Sequence, residues 1–195
     1  MIKKFLKAKH WQIFLIMYGI PILFQIILLG LTFTSDNPIY IFSTFPIFMI
    51  VSVGTLFGWF WSIGVGLHNR LPQNSNLNLK KFKIFFFIPL IYILFITFSL
   101  MTVGIFSDSP PPNGMVGIGI GILIPLHLLS MFCLFYLLYF CSKTIKSIEL
   151  NRDALFGDYA AEFFLLWFFI IGIWIIQPKI NIIANESTTS NIVNI

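Results

Sequence analysis

The chain has 195 residues, of which 58% are hydrophobic and 10% are charged. Because a soluble domain carries about a quarter charged residues, this composition excludes a soluble globular protein and indicates a protein embedded in a bilayer. The net charge of +5 does not indicate nucleic-acid binding, because the basic residues are confined to the gaps between long apolar runs.

Five apolar runs are long enough to form transmembrane helices, since a helix needs about 20 apolar residues to cross about 30 Å of hydrocarbon. These predicted spans are residues 13–33, 39–66, 84–106, 116–141 and 159–176. The fifth, with about 18 residues, is barely long enough. The sequence therefore predicts an all-α, polytopic transmembrane helix bundle over residues 1–184 with no soluble domain, followed by a polar, disordered tail at 185–195.

The first run is predicted to be a membrane span and not a signal peptide. The lysines before it resemble the basic start of a signal peptide. However, about 21 apolar residues follow them without a small-residue cleavage site, and a second span comes directly afterwards. The run is therefore expected to remain in the protein.

The distribution of Lys and Arg predicts which way the bundle faces. Of the 12 basic residues, all but Lys179 lie before the first span, between the second and third, or between the fourth and fifth. The positive-inside rule then predicts a multi-pass protein of the inner (cytoplasmic) membrane. Its N-terminus is in the cytoplasm and, after five crossings, its C-terminus is outside. The alternative has four spans and an interfacial or re-entrant fifth segment.

Proline and glycine indicate the geometry of the predicted helices. A proline inside a membrane helix frees a carbonyl group, which a neighbouring group must satisfy. Such prolines lie in the first four spans, at Pro21, Pro46, Pro89 and Pro125. Gly54 and Gly58, four residues apart in the second span, are typical of a face where another helix packs closely.

The polar segment 142–153 is predicted to continue the helix of the fourth span as a solvated, charge-balanced end. Its carboxylate at Glu149 can pair with Lys146 and Arg152, which lie three residues before and after it. The less favoured interpretation of this segment is a docking face for a partner.

His127 is an unusual residue because it lies about 16 Å from the start of the fourth span, near the bilayer midplane. An ionisable group at that depth is costly, so it is expected to face the bundle interior and to find a partner. The functional interpretations are a proton relay or an axial ligand. The structural interpretation is a neutral histidine that is hydrogen-bonded to a hydroxyl or a freed carbonyl.

Three further polar residues are candidates for a substrate or ion site. Gln25 lies at mid-depth in the first span, where it either cross-links helices or pairs with His127. Asp158 and Glu162 open the fifth span. Asp158 is a predicted N-cap, and Glu162 requires a cationic partner at its depth. Each of the three has a structural interpretation beside the functional one.

The sequence contains no pattern that is typical of catalysis. It has no Ser-His-Asp set, no His-Glu-x-x-His, no Cys-x-x-Cys and no phosphate-binding loop. The prediction is therefore a protein that is not an enzyme, with no cofactor and no metal site.

The segment 167–181, WFFIIGIWIIQPKIN, resembles the closing segment of a group of small, uncharacterised multi-pass membrane proteins of Gram-negative bacteria. The stretches around Trp11 and Gly58 are similar to that group too. Ile170 stands where the group carries a proline, which implies a straighter fifth span. The resemblance implies an inner-membrane protein with no assigned activity, and it transfers no catalytic residue.

Three functional hypotheses follow. The leading one is a non-enzymatic accessory or assembly subunit of a membrane complex, whose partners are the lipid bilayer and another membrane protein or a second copy of the chain. The second is a small carrier or channel, which requires a polar cavity joining at least two of Gln25, His127 and Glu162. The third is a cofactor-binding redox subunit built on His127.

Overall fold

Helices make up nearly all of the chain that the computed structural model describes, which is residues 1–35, 39–106 and 113–193. In chain order they are α1 (Ile2–Lys7), α2 (His10–Phe14), α3 (Ile20–Ser35), α4 (Ile39–Gly64), α5 (Leu79–Phe106), α6 (Asn113–Leu150), α7 (Phe156–Trp167) and α8 (Phe169–Val193). The last helix continues into the stretch for which the sequence predicts a disordered tail.

Four helical segments within these described residues are long and apolar enough to cross a membrane. They are His10–Thr34, Pro46–Arg70, Leu79–Ser99 and Gly121–Leu150. These segments correspond to the first four predicted spans, so the prediction of an all-α bundle of apolar, membrane-spanning helices is confirmed.

The first of these segments shows how a membrane helix accommodates proline. A π-helical turn, Leu15–Gly19, joins α2 to α3 directly before Pro21. Because proline has no N–H group, the carbonyl of Met17 lacks its usual partner four residues later. The hydroxyl of Ser52 in α4 donates a hydrogen bond to that carbonyl over 2.8 Å. The predicted repair of a freed carbonyl by a neighbouring helix is therefore confirmed at this proline.

The predicted fifth span is divided into two helices that fold back on each other. In a straight helix, Glu162 and Lys179 would be about 25 Å apart along the axis. In the structure, the Lys179 ammonium lies 2.7 Å from the Glu162 carboxylate, so α7 and α8 form a hairpin. The helix breaks at Phe168, where φ is −87° and ψ is 54°.

The tip of this hairpin requires a glycine. A Cβ atom on Gly172 would lie 1.7 Å from the carbonyl oxygen of Leu165, which is far inside any permitted contact. The backbone of α8 therefore approaches that of α7 more closely than a side chain allows. Gly157, at the start of α7, has open space at the corresponding position.

The hairpin corrects the prediction of a single, fifth crossing that ends outside. Since α8 returns to the end from which α7 departs, Lys179 lies among the other basic residues and is no longer an exception. Among the described residues the structure therefore has four candidate spans and, in place of a fifth, a hairpin of two helices. The straighter fifth span that Ile170 implied is likewise wrong.

The buried core lies at one end of the bundle. We call this the basic end; it comprises residues 1–9, 57–86 and 133–155 together with the hairpin α7–α8. The core side chains come mainly from 57–67, 82–86, 137–145 and 166–184. In contrast, the residues 20–34, 91–99 and 121–132, which we call the far half, carry many exposed apolar side chains, including Ile26, Phe95 and Leu128.

Candidate functional site

Gln177 connects three parts of the chain at the basic end. Its side chain is fully buried, and its carbonyl oxygen accepts a hydrogen bond of 2.8 Å from the indole N–H of Trp59 in α4. Its amide group donates to the backbone carbonyls of Phe5 and Ala8 over 2.9 and 2.8 Å. The amide therefore uses both of its polar atoms inside the protein, as a buried polar group must.

Asn181, one helical turn further along α8, completes the cap of α1. Its amide donates to the carbonyls of Leu6 and Ala8 over 2.8 and 3.1 Å. The last carbonyls of any helix lack partners within the helix. Here two amide side chains from α8 satisfy them, so α1 is attached to the C-terminal hairpin.

Glu162 and Lys179 form the charged centre of the hairpin. Glu162 is 2% exposed, and a carboxylate taken out of water needs a cation beside it. One of its oxygens lies 2.7 Å from the Lys179 ammonium and 3.5 Å from that of Lys146. Lys179 also lies 3.6 Å from Glu149. The predicted need of Glu162 for a cationic partner is therefore confirmed.

The stretch 142–147 of α6 is largely buried, whereas residues 149–152 are exposed, so the prediction of a solvated helix end is correct only for the last turn. Lys143 is 9% exposed and pairs with Asp153 over 2.9 Å. The hydroxyl of Ser147 accepts a hydrogen bond from the backbone N–H of Ala154. The expected pair of Lys146 with Glu149 is present at 2.9 Å. These polar side chains are covered because α7 and α8 pack over them.

Asp158 lies at the start of α7. The sequence predicts it as the N-cap of this helix, but in the structure the N-cap is Leu155. The helix begins at Phe156, and the Asp158 carboxylate accepts a hydrogen bond of 2.9 Å from the backbone N–H of Leu155. The same carboxylate pairs with Arg152 over 2.9 Å. The hydrogen bond from Leu155, followed by that from Arg152, holds the pKa of Asp158 below its ordinary value.

His127 lies away from this network, on the exposed surface of α6 in the far half. Its Nδ1 atom is 3.1 Å from the hydroxyl of Tyr92 in α5. The prediction that His127 faces the bundle interior is therefore wrong. The predicted hydrogen bond to a hydroxyl is confirmed, although the pair is on the outside of the bundle.

The candidate residues do not converge. Gln25 is half-buried in α3, and no hydrogen bond within the described ranges joins it to His127. Glu162 lies at the basic end, in the hairpin. The crevice beside the hairpin has a volume of about 240 Å³ and is lined by apolar and aromatic side chains such as Phe60 and Trp167. It contains none of the three candidates.

The residues that organise the basic end were missed by sequence reasoning. Gln177, Lys179 and Asn181 follow one another at intervals of two within a largely apolar segment. This interruption is a detectable signal, because a simple membrane span has no reason to carry three polar side chains. Their arrangement is suited to binding chain segments together and leaves few polar groups for a ligand.

The chain was also compared with known proteins. No protein-family model matches it, and no match was found among characterised proteins or among solved structures.

Proposed function

We propose that the protein is a non-enzymatic accessory or assembly subunit that binds another membrane protein through the face of α5 and α6 that carries Tyr92 and His127. The observation that carries this proposal is the exposure of His127, which lies within the candidate span Gly121–Leu150 and near the middle of the predicted span 116–141. A polar ring that faces lipid at that depth is costly. A polar or small-residue face of a partner helix would remove that cost.

A second feature of this face supports the proposal. The hydroxyl of Tyr92 and the Nδ1 atom of His127 are 3.1 Å apart, so two polar groups lie together on it. Hydrogen bonds between membrane helices contribute about 0.6 kcal/mol on average. A polar side chain of a partner helix would extend this pair.

Site-specific photo-crosslinking in native membranes tests this function. A benzophenone amino acid at Leu128, next to His127, is expected to give a discrete crosslinked protein, whereas the same group at Phe24 in α3 is not. The variant His127→Leu is expected to abolish the crosslink while leaving thermal stability unchanged or higher. Equal, diffuse labelling at both positions would contradict the proposal, as would a marked fall in stability with His127→Leu.

The orientation that we propose is a cytoplasmic basic end in an inner membrane, with both chain ends on that side. Two facts support it: all 12 basic residues belong to segments at this end, and positively charged segments stay in the cytoplasm. Reporter fusions after Ile195 and before Met1 are expected to be active in the cytoplasm. A periplasmic C-terminal reporter would contradict the re-entrant arrangement.

A further inference from the structure

The charges of the basic end are divided unequally between the two halves of the chain. In the C-terminal half, four cations pair with four carboxylates; the cations are Lys143, Lys146, Arg152 and Lys179. In residues 1–106, the sequence has eight cations and one carboxylate, Asp36, which lies between the first two predicted spans. The lysines of this region are all exposed, and none pairs with a carboxylate among the described residues.

A crevice of about 610 Å³ opens between α1, α4 and α5, and one of these lysines, Lys3, lines it. Its floor is formed by Gly54 and Gly58 of α4, and its aromatic wall by Phe86 and Phe87 of α5. Gly54 has nothing within 4 Å of its Cβ position. The predicted close approach of another helix is made at Gly58, where the Phe5 ring of α1 lies 2.9 Å from the Cβ position. Among the described residues it is not made at Gly54, where the space is open.

The crevice is polar at its mouth and apolar at its depth. Lys3 lines the crevice. Lys83 is outside the lining, one helical turn before Phe87 on the same face of α5. From Ser62 to Gly54, the floor runs about 12 Å away from the basic end. A phospholipid in the adjacent leaflet has the same order, with a charged head group at the membrane surface and apolar acyl chains deeper in the bilayer.

We propose that this crevice binds one anionic phospholipid of the bilayer. The phosphate group lies between the ammonium groups of Lys3 and Lys83. An acyl chain lies against Gly54 and the rings of Phe86 and Phe87, since the Phe5 ring fills the space at Gly58. Charge complementarity favours an anionic over a zwitterionic lipid, because each lysine near a membrane surface contributes about fivefold in affinity for anionic lipid.

The test is a lipid titration of the purified protein, followed by native mass spectrometry. Dioleoyl-phosphatidylglycerol is expected to bind at one site, at least tenfold more tightly than dioleoyl-phosphatidylcholine. Lys3→Gln and Lys83→Gln are each expected to weaken phosphatidylglycerol about fivefold. Lys9→Gln, which removes an exposed charge outside the crevice, is expected to leave the affinity unchanged.

A second pair of variants tests the apolar part of the site. Gly54→Phe fills open space and is expected to abolish the tight site without lowering stability. Gly121→Phe fills equivalent open space on α6 and is expected to have no effect on lipid binding.

Three outcomes would overturn the proposal. The first is equal binding of the two lipids. The second is an equal loss with Lys9→Gln and Lys3→Gln, which would indicate diffuse attraction. The third is a Gly54→Phe variant that retains the lipid but loses self-association or a protein partner, since a polypeptide would then occupy the crevice. None of these outcomes bears on the surface around His127.

Discussion

Two stretches of α6 show how differently the two ends of the molecule are built. From Phe140 to Ile145 every side chain is buried, including those of Ser142, Lys143 and Thr144. From Gly121 to Leu129 none is buried. The basic end is a packed unit with internal polar contacts, whereas the far half exposes apolar surface to lipid. In this protein, therefore, buried polar residues indicate the position of the core, whereas apolar residues occur at both ends.

The largest loss of stability at the packed end is expected from a substitution at the hairpin tip. Gly172→Ala is expected to destabilise the protein by more than about 3 kcal/mol, because the new Cβ atom would meet the backbone of Leu165 and force the helices apart. Thermal unfolding in detergent measures the effect. Gly157→Ala, at an open position, is the matched control, and an equal response of the two variants would show that the tip is not a close-packed point.

Gln177→Leu is expected to cost about 3 kcal/mol, because it leaves the buried Trp59 indole without its partner and removes a donor from each of the carbonyls of Phe5 and Ala8. The N-terminal helix should also become accessible to protease. Chemical denaturation and limited proteolysis measure the two effects. Gln73→Leu, at an exposed loop position, serves as control. A resistant N-terminus in Gln177→Leu would show that α1 is held by other contacts.

Lys179→Ala is expected to cost about 2 kcal/mol. Removing one partner of a buried ion pair is strongly destabilising, but about a third of the Lys179 side chain is exposed, which reduces the effect. The double variant Lys179→Ala with Glu162→Gln should recover part of the loss, because no buried charge remains. Additive losses in this double-mutant cycle would mean that the two side chains are not coupled.

Phe140→Leu and Phe95→Leu make the same chemical change at the two ends. Phe140 is fully buried, while Phe95 is 56% exposed. The first variant is expected to lose about 1 kcal/mol through the space it leaves, and the second almost nothing. Parallel thermal unfolding of both variants measures this difference. A comparable loss at Phe95 would reveal a packed far half, which is also the expectation if a partner covers that surface.

The smallest expected effect concerns pH at the start of α7. Because the pKa of Asp158 is lowered in the folded protein, its contribution to stability is present above the ordinary pKa of an aspartate. That contribution is lost as the pH falls through the lowered value. In Asp158→Asn, the free energy of unfolding should therefore fall slightly less steeply as the pH is lowered. An unchanged curve would show that Arg152 and Leu155 do not stabilise the carboxylate.

Hydrophobic run length was sufficient to predict the first four helices, since crossing a bilayer imposes a minimum length on each. The repair of the carbonyl freed by Pro21 followed from the same requirement. The fifth segment was predicted to be a single span because its length and hydropathy resemble those of a span. Only the close approach at Gly172 and the contact of Lys179 with Glu162 distinguish a hairpin from a single crossing.

The candidate polar residues were predicted less well for a related reason. The sequence shows that His127 lies at mid-depth, but not which face of α6 it occupies, because both sides of the helix are apolar in this region. Gln177 was missed because its partners, Trp59 and the carbonyls of residues 5 and 8, are far away in the chain. Contacts of this separation are set by tertiary packing and leave no local pattern.

The attachment of α1 by α8 has a consequence for biosynthesis. Gln177 is separated from Phe5 by 172 positions, so the group that caps the first helix is translated after all four spans. Until then, the side-chain donors that hold the end of α1 are absent. The basic end can therefore close only after the four spans have been synthesised.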